Sequence, residues 1–183
     1  EPVLYFSFEE SPDQLARNLL SVNINLKPHL KSKLLTIHAS RPSLQGLEMH
    51  LLLLHRLIEQ HQPKTVIIDP ISSLISIGSN SEVRAMLVRL MDLLKGNQIN
   101  ALFTSLTHQE KDEFKDATVD AVSSLADTWI NVSNEDVNGF RVRNLLVYKS
   151  RGMGHFNNPC NFEITDKGIL FLSANSIQPV SAS

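Results

Sequence analysis

The sequence predicts an α/β fold, with a mostly parallel sheet flanked by helices and antiparallel strands added at its C-terminal side. Three observations carry this. Short apolar, β-rich runs alternate with helix-spaced apolar residues between Val3 and Ser105. Acids stand directly after the first and third of those runs, at Glu9-Glu10 and at Asp69. Beyond Thr128 the helical spacing gives way to paired β-rich runs around Asn138-Gly139 and Asp166-Lys167-Gly168. Such dipeptide and Gly-containing turns mark hairpins.

Val3 to Phe8 is β-branched, aromatic and apolar, and reads as a buried strand. Ser11-Pro12-Asp13-Gln14 follows, with Ser to cap a helix, Pro at its first position and Gln three residues on. The helix is expected to reach about Val22, with Leu15 and Leu19 inward. Leu34 to Ile37 is a second strand. Leu47, Leu51, Leu54 and Ile58 share one helical face, so a helix spans about Leu47 to His61, closed by Pro63. Lys64 to Asp69 is a third strand, nearly all apolar before its terminal acid. Val83, Leu87, Leu90 and Leu94 define a helix from about Glu82 to Lys95, with Gly96 as its stop. Ala101 to Ser105 is the fourth strand, and Val119 to Ala126 a short helix. Thr128–Ser133, Arg141–Lys149, Asn161–Ile164 and Ile169–Leu172 complete the strands, and residues 173–183 read as a loose tail. There is no internal repeat.

The 183 residues are 42% hydrophobic and 20% charged, the balance of one globular domain with a sizeable core. A formal net charge of −2 gives no general attraction to nucleic acid or anionic membrane. Trp129 and the few tyrosines make no repeated platform for stacking bases. A nucleic-acid partner is therefore not favoured. The longest apolar run, Leu51 to Leu54, is too short to span a bilayer, so no membrane partner is expected. The single cysteine, Cys160, cannot form an internal disulfide and fits a reducing, cytoplasmic setting. No initiator Met opens the chain and a strand begins at once, so the chain reads as a fragment.

Ligands of open α/β sheets sit at the carboxyl ends of the strands. Acids on that rim suit a hydrated Mg²⁺ and an activated oxygen nucleophile. Four apolar residues ending in Asp69 make a Walker B pattern; a simple turn cap is the structural alternative. Glu9 and Glu10 are adjacent carboxylates that repel each other, an odd choice for structure alone. Either one could instead favour the following helix N-terminus. The fourth strand ends in Ser105, Thr107, His108 and Gln109, with Ser105 the candidate sensor. Lys149 and Arg151, two apart, project from one face if both are extended, as a phosphate-binding pair or as a charged edge. Gly152, Gly154 and Asn157-Asn158-Pro159 follow as a loop. Ser123-Ser124 reads on its own as a solvated pair. Of the seven histidines, His108 and His155 fall in candidate functional loops, and the rest read as surface residues. No Gly-x-x-x-x-Gly-Lys-Ser/Thr occurs, so this chain alone is expected to bind ATP poorly.

Several segments resemble the KaiC family of ATPases and autokinases, part of the RecA-like superfamily. They are Leu4-Tyr5-Phe6-Ser7-Phe8-Glu9-Glu10-Ser11 with Gln14-Leu15 and Arg17-Asn18, and Gly46-Leu47-Glu48 with His50-Leu51. They continue with Ile67-Ile68-Asp69-Pro70-Ile71-Ser72-Ser73-Leu74, Phe103-Thr104 and Lys149-Ser150-Arg151-Gly152. Phe162 to Gly168 completes the series. The resemblance runs in order from Val3 to about Leu172 and implies one partial RecA-like ATPase domain over 1–172 that lacks its Walker A segment. It implies that Glu9 and Glu10 are the catalytic pair, one polarising the attacking water or hydroxyl. It implies that Asp69 holds the Mg²⁺ water shell, and that Lys149 and Arg151 reach the γ-phosphate of a neighbour's ATP. Ser123 and Ser124 fall where the autokinase half carries its adjacent Ser and Thr phosphoacceptors, and here both hydroxyls are kept. The implied cofactors are ATP and Mg²⁺, and the implied assembly is a homo-oligomer, a hexamer, with regulatory protein partners.

The expected function is an ATPase that autophosphorylates on serine within a ring. Two other readings share the same residues. One is a RecA-like DNA-handling ATPase, which a basic, loop-rich inner surface would favour. The other is a non-catalytic KaiC-like signalling module without a phosphate loop. A clock role does not follow from the resemblance.

Overall fold

The computed structural model describes residues 1–106, 124–137 and 139–172. The described residues of Glu1–Leu20 and Ile24–Leu125 form one compact unit, and those of Ser21–Asn23 and Ala126–Ser183 form another. The helix expected from Val119 lies outside the described residues up to 123, as do the tail, Thr107, His108, Gln109 and Ser123.

In the first unit four strands form a parallel sheet in the order β2-β1-β3-β4. They are β1 (Val3–Ser7), β2 (Leu35–Ala39), β3 (Thr65–Asp69) and β4 (Asn100–Phe103). β1 lies between β2 and β3. Leu4, Phe6 and Phe8 are buried on one side, where Val66 and Ile68 of β3 join them. Helices α3 (Leu47–His61) and α4 (Asn80–Gly96) cover that face with Leu54, Leu57 and Ile58, and with Val83, Met86, Leu87, Leu90 and Leu94. The inward positions expected on α4 are all buried, and on α3 Leu51 is only partly so. Arg89 of α4 is paired to Glu48 of α3 at 2.5 Å, an exposed bridge of small worth.

Helix α1 (Pro12–Leu20) starts at the expected capping box. The Gln14 N–H donates to Ser11 Oγ at 3.3 Å, and the Ser11 N–H donates to Gln14 Oε1 at 3.1 Å. It ends before Val22. Leu15 is buried, while Leu19 is half-buried. A second box opens α4, where Ser79 and Glu82 cap reciprocally and the exposed Glu82 carboxyl is held below its usual range by the Ser79 hydroxyl.

Three short elements are not legible in the spacing, one of them a 3-10 turn over Pro42–Leu44. Helix α2 (Lys27–Lys31) has five residues, none buried. A 3-10 segment covers Ile71–Ser76 and buries Ile71 and Leu74, three apart, as a threefold helix requires. One expectation needs correction. His50, read as a surface residue, is fully buried. It sits on the inner face of α3 between Leu47 and Leu54, with its ring 5.4 Å from that of Phe8.

The second unit holds β5 (Thr128–Val137), β6 (Phe140–Ser150), β7 (Cys160–Thr165) and β8 (Gly168–Phe171), paired antiparallel in that order. These strands form a sheet of their own rather than additions to the parallel ladder. Gly139 and Gly168 sit at φ +83° and +107° in the two hairpin turns, a region open to glycine.

Candidate functional site at the carboxyl rim of the parallel sheet

β1 and β3 are neighbours in register, with Ser7 opposite Asp69, so the acids that follow or end them share one rim. The chain is stitched there by backbone bonds. Phe8 N–H donates to Asp69 O at 2.8 Å, Thr104 N–H to Ile68 O at 3.1 Å, and Ile71 N–H to Thr104 O at 2.8 Å.

Asp69 is half-buried, and each of its carboxylate oxygens accepts from a hydroxyl, Tyr5 on one side and Thr104 on the other. The register explains both. Tyr5 lies opposite Ile67, two residues before Asp69 and therefore on the same face. Thr104 follows Phe103, which lies opposite Ile68. Burial, and then the Asp69 carboxylate accepting its proton, push the Tyr5 phenol well above its ordinary range. It therefore remains a donor at neutral pH.

Two hydroxyls use one acceptor position on each oxygen, and a carboxylate offers about four. The positions left over fit the water ligands of a hydrated divalent cation. Among the described residues no three His, Cys, Asp or Glu gather to hold a metal directly. Mg²⁺ keeps several of its waters and uses few carboxylates beside substrate phosphates, so this donor set fits it.

Glu9 and Glu10 are handled differently. Glu10 is half-buried, its N–H donates to Ser7 Oγ at 3.0 Å, and its carboxylate accepts from Asn18 Nδ2 of α1 at 2.6 Å. Glu9 is exposed and accepts from Ser73 Oγ of the 3-10 segment at 2.7 Å. Glu9 lines an open cleft of about 360 Å³ whose other walls are Phe8, Arg41, Pro42, Ser43, Ser72, Ser73 and Ser76. Beneath Pro42, the buried His50 ring places Nε2 3.3 Å from the Pro42 carbonyl.

Ser105 follows Thr104 and is half-buried. Thr104 is the residue whose hydroxyl meets Asp69. Tyr5, Thr104 and Ser73 are site residues that sequence reasoning did not single out. A hydroxyl at the end of β4 is the sequence signal for Thr104, the residue before Ser105.

In the second unit, Lys149 is the penultimate residue of β6, opposite Trp129, and is half-buried. Arg151 lies beyond the strand, so strand alternation does not apply to the pair. Its N–H donates to Asp127 O at 2.8 Å, and its guanidinium bonds Asp127 Oδ1 at 3.2 Å. Ser124 is exposed in a turn of the first unit, and His155 is exposed in the loop between β6 and β7.

A four-stranded parallel sheet with acids at the carboxyl ends of two adjacent strands is an open α/β domain of the class that binds ligands at that rim. A family model described as "ATPase: KaiC" matches residues 1–176. The circadian clock protein KaiC2 of Synechocystis sp. is 38% identical over 174 residues, covering 95% of this chain and 31% of that protein. The circadian clock oscillator protein KaiC of Thermostichus vulcanus is 31% identical over 168 residues, covering 92% of this chain and 32% of that protein. That of Synechococcus elongatus is 31% identical over 171 residues, with the same coverage of 92% and 32%. The chain belongs to the KaiC family. It spans about a third of the length of the curated relatives it matches. Among the described residues no helix is long and apolar enough to cross a membrane.

Proposed function

We propose that the full-length protein binds Mg-ATP, hydrolyses it and autophosphorylates on Ser123 or Ser124 within a homo-oligomeric ring in the cytoplasm. The observation that carries this reading is the separation of the two glutamates. Phosphoryl transfer is served by a residue that takes or orients the nucleophile's proton, a role a carboxylate can fill, beside an acid that organises a cation. Glu9 lines the cleft and accepts from Ser73 on its wall, while the Glu10 carboxylate is turned to Asn18 of α1. Glu9 is therefore the base, and Glu10 secures the turn onto α1. When bound, Mg²⁺ supplies charge neutralisation to the phosphates, and Asp69 would hold its water ligands. Lys149 and Arg151 supply positive charge to a phosphate, in the reading in which a neighbouring subunit's nucleotide lies against them. Regulatory proteins and a clock role are expectations of the family, since the relatives carry clock names.

The test is Glu9→Gln and Glu10→Gln made separately in the full-length protein. Glu9→Gln should lower ATP turnover by about 100-fold or more, with binding of a fluorescent ATP analogue retained. Glu10→Gln should cost far less. Turnover retained in Glu9→Gln removes the base assignment. Phosphopeptide mapping after incubation with Mg-ATP tests the acceptor. Phosphate on neither Ser123 nor Ser124, with hydrolysis intact, leaves an ATPase without autokinase activity.

A further inference from the structure

The geometry points to Ser73 as the positioning residue that sets the Glu9 carboxylate for proton transfer, an inference that rests on Glu9 being the base. Glu9 emerges from the end of β1 on an exposed turn, and a glutamate there has three side-chain torsions to restrict. Among the described residues, Ser73 Oγ is its hydrogen-bond donor, at 2.7 Å onto Oε1. The pair is 64 residues apart in the chain, so the contact is a product of the fold.

The donor stands on a fixed platform. Ile71 and Leu74, on either side of Ser73, are 2% and 1% exposed and belong to the main core. Ile71 N–H is tied to Thr104 O at 2.8 Å, and the Ser73 carbonyl accepts from Ser76 Oγ at 2.7 Å. Ser72 Oγ accepts the Leu106 N–H at 3.1 Å, which fixes the segment against the end of β4. The same segment begins two residues after Asp69, with Pro70 between them. Its placement therefore fixes the distance between the acid that organises the cation and the acid that takes the proton.

A hydroxyl donor suits the task chemically. It occupies Oε1 and leaves Oε2 as the acceptor for the nucleophile's proton, so Glu9 is oriented without being neutralised. A cation in place of Ser73 would hold the carboxylate more tightly and make it a poorer base. Ser73 touches neither nucleotide nor nucleophile in this role. It acts only through Glu9.

The experiment compares wild type, Ser73→Ala, Ser73→Thr and Glu9→Gln in the full-length protein, by steady-state ATP turnover and thermal midpoint. Ser73→Ala should lower kcat by roughly 10-fold to 100-fold, the scale of a misplaced catalytic group. KM for ATP and the midpoint should stay as in wild type. Ser73→Thr, which keeps the hydroxyl, should recover most of kcat. Wild-type kcat in Ser73→Ala while Glu9→Gln is inactive overturns the role of Ser73 and leaves Glu9 as the base. A loss of kcat matched by a moved KM or midpoint, or unrescued by threonine, makes Ser73 structural and also overturns it. An active Glu9→Gln instead removes the base assignment beneath both readings.

Discussion

Removing the Tyr5 hydroxyl tests how Asp69 is held. Tyr5→Phe deletes one donor, keeps the ring, and leaves no orphaned phenol behind. A hydrogen bond to a charged group contributes about 1.5–3 kcal/mol. Asp69 and Tyr5 are both half-buried, so water takes up part of the loss. The expected cost is therefore about 1–2 kcal/mol. Thr104→Val should cost a similar amount by vacating the other oxygen. The double variant should lose more than the sum, because the second deletion leaves the half-buried carboxylate without either donor. Urea unfolding followed by helical circular dichroism is the right assay. All helices among the described residues lie in the first unit, whereas Trp129 is in the second and would report elsewhere. The pH dependence carries a sign. A phenol whose folded pKa is raised stabilises the fold below its ordinary value near 10, and that contribution fades as pH rises beyond it. The gap between wild type and Tyr5→Phe should therefore narrow at strongly alkaline pH. A change under about 0.5 kcal/mol at neutral pH would mean that solvent, not Tyr5, stabilises Asp69.

The other expectations can be checked alongside. Glu9→Gln should lower turnover by about 100-fold or more with nucleotide binding kept, and Ser73→Ala should lower kcat alone, both read by steady-state kinetics. His38, stacked on Phe6 at 5.4 Å, has its pKa lowered by burial first and by His61 second. A base with a depressed folded pKa contributes stability above its ordinary value of 6.5, lost as pH falls through that window. His38→Gln should flatten the wild-type decline between neutral and mildly acidic pH in urea midpoints; an unchanged slope would assign it to other groups. A Cβ at Gly78 would meet Leu47 Cδ1 at 2.5 Å and Cγ at 3.3 Å. Gly78→Ala should cost about 1–3 kcal/mol in the same urea assay, and no loss would mean that Leu47 moves aside freely.

The residues explain which parts of the fold were legible. Runs such as Val66-Ile67-Ile68 and the stripe Val83, Leu87, Leu90, Leu94 announce their elements because backbone period and burial coincide locally. His50 shared the stripe of Leu47 and Leu54, yet its polarity argued for the surface and the spacing decided otherwise. Short elements escaped for a related reason. Five residues of α2 bury nothing, and Ile71–Ser76 is too brief for its period to stand out. Ladder membership of the late strands was not legible either, since hairpin signals fix partners within a pair but not which sheet receives them.

By itself the sequence determined the alternation of strands and helices, the acids at the ends of β1 and β3, and the segments that resemble the KaiC family. These depend on neighbours along the chain, where each residue's side of a helix or strand follows from its number. Only the tertiary structure decided how those acids are used. Asp69 meets Tyr5 and Thr104 at sequence separations of 64 and 35, and Glu9 meets Ser73 across another 64. Hydrogen-bond partners at that range are chosen by strand register and by the core beneath the 3-10 segment. No local pattern distinguishes a hydroxyl that will reach a carboxylate from one that will face water.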